Sequence, residues 1–232
     1  MIDQGLWYAM PELVGSRVRL EPLRVEHAEG YLRAAGSPEE AAEIFRWQSP
    51  AGGALARPVT VQDARQHIMA ALAGRARGER LPYAQVDAVT EEVAGTTSFA
   101  DPDPGLRSVT IGYTWLGQRW WGTGANVEAK LLMLAFAFDT LEAVRVGLVT
   151  DVRNVRAQRA IERLGAAREG VLRKHRRRAD GSWRDTVVYS IVDDDWPGVR
   201  DGLRERLARA VSGGQVGRTG PGPDSAAGAG VQ

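Results

Sequence analysis

Cysteine is absent from the 232-residue chain. That removes disulfides, thiolate zinc sites and cysteine nucleophiles together. Histidine is scarce. His27, His67 and His175 are the only three and form no HxH or HExxH pair, so no metal is expected. No stretch approaches the roughly 20 consecutive apolar residues of a membrane-spanning helix. The opening MIDQGLWYAMPELVG lacks the basic segment, long apolar run and cleavage pattern of a secretory signal. We therefore expect a cytoplasmic protein without membrane contact. An excess of one charge is missing too: 30 Lys and Arg against 29 Asp and Glu leave +1. The molecule as a whole is thus not an electrostatic nucleic-acid binder. Even lysine is rare, with Lys130 and Lys174 the only two.

What is present is ordinary for a globular domain, 44% hydrophobic and 25% charged. A chain of this length buries a full core without staples. We expect one domain over 1–210, with its core at about 15–196, and a disordered Gly/Pro-rich tail over 211–232. Alternation predicts strands over 17–21, 83–89, 93–99, 108–115, 144–148, 168–173 and 183–192. Helical spacing predicts helices over 25–35, from Ser37-Pro38, over 61–73, 154–164 and 196–209. Loop 52–58 and turns at 101–105 and 179–181 separate them. In the strand over 108–115, Val109, Ile111, Tyr113 and Trp115 should share one apolar face. Beyond it, Val127, Leu131, Leu134 and Phe138 fall on one stripe of a helix. The order predicts a mixed α/β (α+β) chain with a long antiparallel run and a β-loop-α-β-α centre.

The loop between that strand and that helix reads Gln118-Arg119-Trp120-Trp121-Gly122-Thr123-Gly124-Ala125. Glycines let backbone approach a ligand, successive N–H groups converge, and the helix adds its positive end. The result would seat a pyrophosphate. A P-loop would need GxxxxGK[ST], which is absent, and so is the dinucleotide pattern GxGxxG. A plain glycine-containing strand-to-helix turn also fits the loop taken alone.

Arg119-x-x-Gly122-x-Gly124 resembles the acyl-CoA-binding motif of GNAT acetyltransferases. Thr150-Asp151-x-x-Asn154-x-x-Ala157, with Gly165 eleven residues after Asn154, resembles that family's second block. Arg17 to Pro22, Glu169-Gly170 and Arg184 to Ser190 resemble the RimJ/RimL branch, the ribosomal-protein N-terminal acetyltransferases. The resemblance implies a GNAT fold, with a splayed, mostly antiparallel central sheet flanked by helices. It implies acetyl-CoA as acyl donor, with its pantetheine arm between two strands that part. Backbone of Trp115 and Leu116 would pair with pantetheine. Amides from Arg119, Trp120, Trp121, Gly122, Thr123, Gly124 and Ala125 would hold the pyrophosphate. Asn154 would bond pantetheine near the thioester, although asparagine there also suits a plain helix N-cap.

The implied activity is N-acetyl transfer to a primary amine, either a protein N-terminus or a small amine. Two alternatives accompany it: a non-catalytic acyl-CoA sensor, and a transferase using another donor such as succinyl-CoA. The family's tyrosine acid is replaced by Ile161, and the RimL-type serine by Ala157. Arg176 stands where a base would be, which leaves His175 and Asp185 as weaker candidates. The basic run 173–178 could grip RNA or a ribosome, but reads first as a solvated turn. Trp115, Trp120 and Trp121 could line a pocket or pack the core. Monomer and homodimer both fit the chain.

Overall fold

The structure is a computed structural model that describes residues 4–48, 57–178 and 180–214. Among these residues eight strands form one sheet: β1 (Leu13–Val14), β2 (Val18–Pro22), β3 (Arg80–Asp87), β4 (Val93–Asp103), β5 (Ser108–Leu116), β6 (Arg145–Asp151), β7 (Ala167–Arg177) and β8 (Trp183–Val192). Their spatial order is β1-β2-β3-β4-β5-β6-β8-β7. All neighbours are antiparallel except β5 and β6. Among the described residues, six α-helices cover the faces: α1 (Ala28–Ala35), α2 (Pro38–Phe45), α3 (Val61–Ala76), α4 (Ala125–Ala135), α5 (Val155–Glu162) and α6 (Trp196–Gly214).

Local chemistry explains the boundaries. Ser37 and Thr60 each accept a bond from the N3 amide, while Glu40 and Asp63 reach back, closing capping boxes on α2 and α3. Gly165, at φ +98, follows α5 as expected of a C-terminal glycine. The turn expected at 101–105 lies instead at 104–107. The Asp103 carboxylate accepts from the Leu106 amide (2.8 Å), so the strand runs on through Pro102 before reversing. Helix α6 continues past residue 209 to Gly214. Residues 215–232 of the expected tail, residues 52–56 of the expected loop and Ala179 of the expected turn lie outside the described residues.

Two apolar clusters sandwich the sheet. One gathers Trp7, Leu20, Tyr83, Phe99, Ile111, Met133, Leu134 and Leu203 beneath α4 and α6. The other gathers Tyr31, Ile44, Ile68, Val86, Trp115 and Trp120 beneath α1, α2 and α3. The α4 stripe differs from expectation. Ala129, Met133 and Leu134 are fully buried, whereas Val127 and Leu131 are only partly covered. The helix continues as a π-helical turn, Phe136–Thr140.

The single apolar face expected for β5 is also corrected. Val109 and Ile111 join the α4 cluster, but Trp115 and Leu116 join the opposite one. A bulge causes the switch. Pairing with β4 jumps from Gly112↔Ser98 to Trp115↔Thr96, with Tyr113 at φ +51. One extra residue reverses which side chains face which layer.

Candidate active site

Strands β5 and β6 pair only from Ser108↔Arg145 to Ile111↔Leu148. Beyond that, β5 keeps only β4 and β6 keeps only β8. A gap with two unpaired strand edges opens there, bounded by residues 112–116 and 149–151. The glycine loop and Asn154 stand at its open end, after Leu116 and Asp151.

The loop is built tightly. The Gly117 amide donates to the Ala94 carbonyl (2.9 Å). Arg119 lies 3.8 Å over the Trp120 ring and pairs with Glu92. Trp120 is buried and its indole N–H donates to the Asp87 carboxylate (2.7 Å). The Trp121 N–H donates to the Leu116 carbonyl (2.9 Å), and Arg156 lies 3.6 Å over its ring. Thr123 donates to the Trp120 carbonyl (2.8 Å) and its hydroxyl accepts from the Ala125 amide (3.3 Å). Gly122 and Gly124 take φ +76 and +91, the left-handed region that suits glycine. A Cβ on Gly122 would meet no atom within 4 Å. The backbone is therefore bare on the side where a ligand would approach. Among the described residues, the Gly122, Gly124 and Asn126 amides have no acceptor within the protein. The Trp120 and Trp121 amides do, at the Gly117 and Gln118 carbonyls (3.0 and 2.9 Å).

Sequence reasoning missed the loop's clamp. Glu128, in the first turn of α4, accepts from the Ser16 amide and hydroxyl, the Arg17 amide and the Val18 amide (2.6–3.0 Å). Arg17 in turn donates to the Thr123 carbonyl (2.9 Å). Lys130 was missed as well. It is 5% exposed, and burial pushes its amine down to about 7. A lysine set among Ala129, Leu131, Leu132, Met133 and Leu134, in a chain with two lysines, was the available signal.

Two carbonyls of this half of β5 have side-chain donors: Trp115 accepts from the side-chain amide of Gln85 on β3 (3.2 Å), and Leu116 from the Trp121 indole N–H (2.9 Å). The Trp115 ring packs on Tyr31 and Phe45 at centroid distances of 4.6 and 5.1 Å. Of the three tryptophans, Trp115 and Trp120 are thus core residues.

Asn154 caps α5, its side-chain oxygen accepting from the Ala157 amide (3.0 Å), which leaves its NH2 to donate elsewhere. Ile161 is partly buried against the α4 cluster, and Ala157 is also partly covered. Asp185 is engaged, accepting from the Lys174 amide (2.7 Å). His175 is largely exposed; what burial it has, with Arg176 and Arg184 nearby, lowers its imidazole from the ordinary value. The basic run is not a uniform solvated turn: residues 173–177 belong to β7 and Arg178 follows it. Arg178 grips the Asp151 carboxylate with two bonds (2.7 and 2.9 Å), and Arg177 lies 4.1 Å over Trp183. Burial pushes the Asp151 carboxyl up, but the bonds from Arg178 and the Arg153 amide outweigh it and hold it below the ordinary range.

A sheet that splays beside a strand–glycine loop–helix unit defines a class of acyl-group transferases, and comparison with known proteins agrees. Residues 17–167 match the family described as Acetyltransferase (GNAT) domain, and the chain belongs to that family. Among curated relatives, the N-acetyltransferase YjcK of Bacillus subtilis, so named as a probable one, is 28% identical over 187 residues, 79% of this chain and 98% of YjcK. YdaF of the same organism, assigned as a ribosomal N-acetyltransferase, is 30% identical over 106 residues, 46% of this chain but only 57% of YdaF. Among solved structures, an assigned acetyltransferase from T. thermophilus is 42% identical with a TM-score of 0.73, covering 86% of this chain and 98% of that one. Mycobacterium smegmatis RimJ in complex with CoA-disulfide shares the fold, at 21% identity and TM-score 0.68 over 82% of this chain and 88% of that one.

Proposed function

We propose that the protein transfers an acetyl group from acetyl-CoA to a primary amine, a protein N-terminus or a small amine, by direct attack. The observation that carries this reading is the β5–β6 gap opening beside the bare backbone of Gly122. The residues present suit the donor. The Gly122, Gly124 and Asn126 amides and the positive end of α4 would receive the pyrophosphate. Amides of the bulged half of β5 would receive pantetheine and the thioester carbonyl. The free NH2 of Asn154 would donate to the arm near the thioester.

In the reaction the neutral amine nitrogen bonds to the thioester carbon. Its carbonyl oxygen gains charge, and N–H groups of β5 near Trp115 stabilise it. The C–S bond then breaks and CoA leaves as thiolate, while the new ammonium gives its proton to water or a neighbouring base. A thiol pKa of about 8.5 lets the thiolate depart without an acid, which fits Ile161 and Ala157 at the two positions where the GNAT resemblance implies one. The protein's main contribution is then positioning.

Calorimetric titration tests the donor site. Gly122→Val places a branched side chain over the cradle at a left-handed φ, so acetyl-CoA affinity should fall tenfold or more, about 1.4 kcal/mol. Unchanged affinity in a folded variant would overturn the assignment. Mass spectrometry of cell extract incubated with labelled acetyl-CoA and the protein identifies the acceptor. Tight CoA binding without transfer to any amine would favour a sensor, a reading to which the engaged carboxylate of Asp185 lends support. Preference for succinyl-CoA would replace the donor.

A further inference from the structure

Lys130 takes no part in the chemistry described so far, yet it lies directly behind the gap. Its Nζ donates to the hydroxyls of Thr114 (2.7 Å) on β5 and Thr97 (3.1 Å) on β4. The two hydroxyls are 2.8 Å apart. Each oxygen accepts from the amine, and one hydroxyl donates to the other; with Thr97 donating to Thr114, Thr114 donates to the Gly112 carbonyl (3.4 Å). An ammonium has three N–H donors and a neutral amine two, so either state serves both threonines.

These threonines lie at the bulge, Thr114 within it and Thr97 opposite on β4. The carbonyls through it all have side-chain donors: Gly112 from Thr114, Tyr113 from Thr96 (3.4 Å), Thr114 from Gln48 (3.1 Å) and Trp115 from Gln85 (3.2 Å). Fixing the carbonyls fixes the direction of the amides between them. Packing does not require a lysine here. A methionine has similar length, as Met133 in the same helix illustrates, and burying it needs no desolvation of an amine.

We propose that Lys130 is a positioning residue for acyl transfer, holding Thr97 and Thr114 from beneath so that the bulge of β5 keeps its amides aimed at the thioester carbonyl. This rests on the reading of the β5–β6 gap as the acyl-CoA site. It predicts that Lys130 matters to the acetyl group and not to the rest of the donor.

The test is calorimetric titration of wild type, Lys130→Met and Thr114→Val with acetyl-CoA and, separately, with CoA, alongside melting temperatures. Lys130→Met should bind CoA within twofold of wild type but acetyl-CoA at least fivefold more weakly, with an unchanged or raised melting temperature. Thr114→Val keeps the β-branched shape, should show the same selective loss, and decides the matter if Lys130→Met does not fold. Wild-type affinities for both ligands, or equal loss of both, would overturn the role for Lys130 and leave the acyl-CoA site standing. A wild type that binds neither ligand would overturn the acyl-CoA reading, and this proposal with it.

Discussion

The two halves of β5 make unlike use of one strand. From Ser108 to Ile111 it is paired on both edges, and Val109 and Ile111 are each 3% exposed beneath α4. From Gly112 to Leu116 it has lost β6, carries a bulge, and surrounds its backbone with Thr96, Thr97, Gln48, Gln85 and Lys130. The first half is held by apolar burial and ladder bonds. The second is held by side-chain bonds to its carbonyls, which leave the strand edge open. The difference teaches how a sheet can stay ordered where it has been parted: side chains of Gln48 and Trp121 bond the Thr114 and Leu116 carbonyls where β6 is no longer paired.

The largest effect should come from the paired half. Ile111→Ala removes a buried side chain and should cost about 2–5 kcal/mol in urea unfolding. CoA affinity of the molecules that remain folded should stay unchanged. A comparable loss of affinity would mean that the two halves are not separable.

Next is the clamp that fixes the loop opposite the open half. Glu128→Ala leaves three backbone N–H groups and a hydroxyl without their acceptor, and should cost about 3 kcal/mol or more. Since Glu128 also carries the start of α4, this variant should weaken CoA binding as well. Calorimetry on the folded fraction checks that.

The far edge of the gap should respond to pH. Arg178→Met breaks a pair whose aspartate side chain is 1% exposed, an effect of about 3 kcal/mol at neutral pH. Folding lowers the Asp151 carboxyl, so the pair's contribution is fully present above the unfolded-state value and fades as pH falls through the folded one. The stability difference between wild type and Arg178→Met should therefore shrink under acid conditions. A difference constant from pH 7 to pH 3 would place the stabilisation elsewhere.

The smallest effect is expected at α5. Ile161→Tyr introduces a hydroxyl where the GNAT resemblance implies an acid, but on a side chain already packed against the core, so turnover should change little or fall. The pH–rate profile should keep one ascending limb. A strong gain from Ile161→Tyr would mean that protonation of the leaving thiolate limits the reaction.

The parts of this molecule that were legible beforehand are those encoded by neighbours in sequence. Alternation marked β5, the glycines marked the loop, Ser37 and Thr60 marked helix starts, and Gly165 marked an end, because caps, turns and periodicity act over a few residues. The features that escaped are long-range. Glu128 reaches Ser16 across 112 positions and Arg178 reaches Asp151 across 27. Nothing in the alternation of 108–115 announced that Tyr113 would take φ +51 and turn Trp115 to the opposite layer. A bulge depends on the register of the partner strand, which the strand's own residues do not encode.

The sequence by itself determined the order of strands and helices, the glycine loop and the side chains available to serve a thioester. Those follow from steric and hydrogen-bonding preferences of adjacent residues. Only the tertiary structure decided where β5 and β6 part, that Trp115 and Trp120 pack inward, and that Lys130 ends beneath Thr97 and Thr114. These are outcomes of packing two layers against one sheet, in which each buried polar atom must find its partner among residues that only the fold brings within reach.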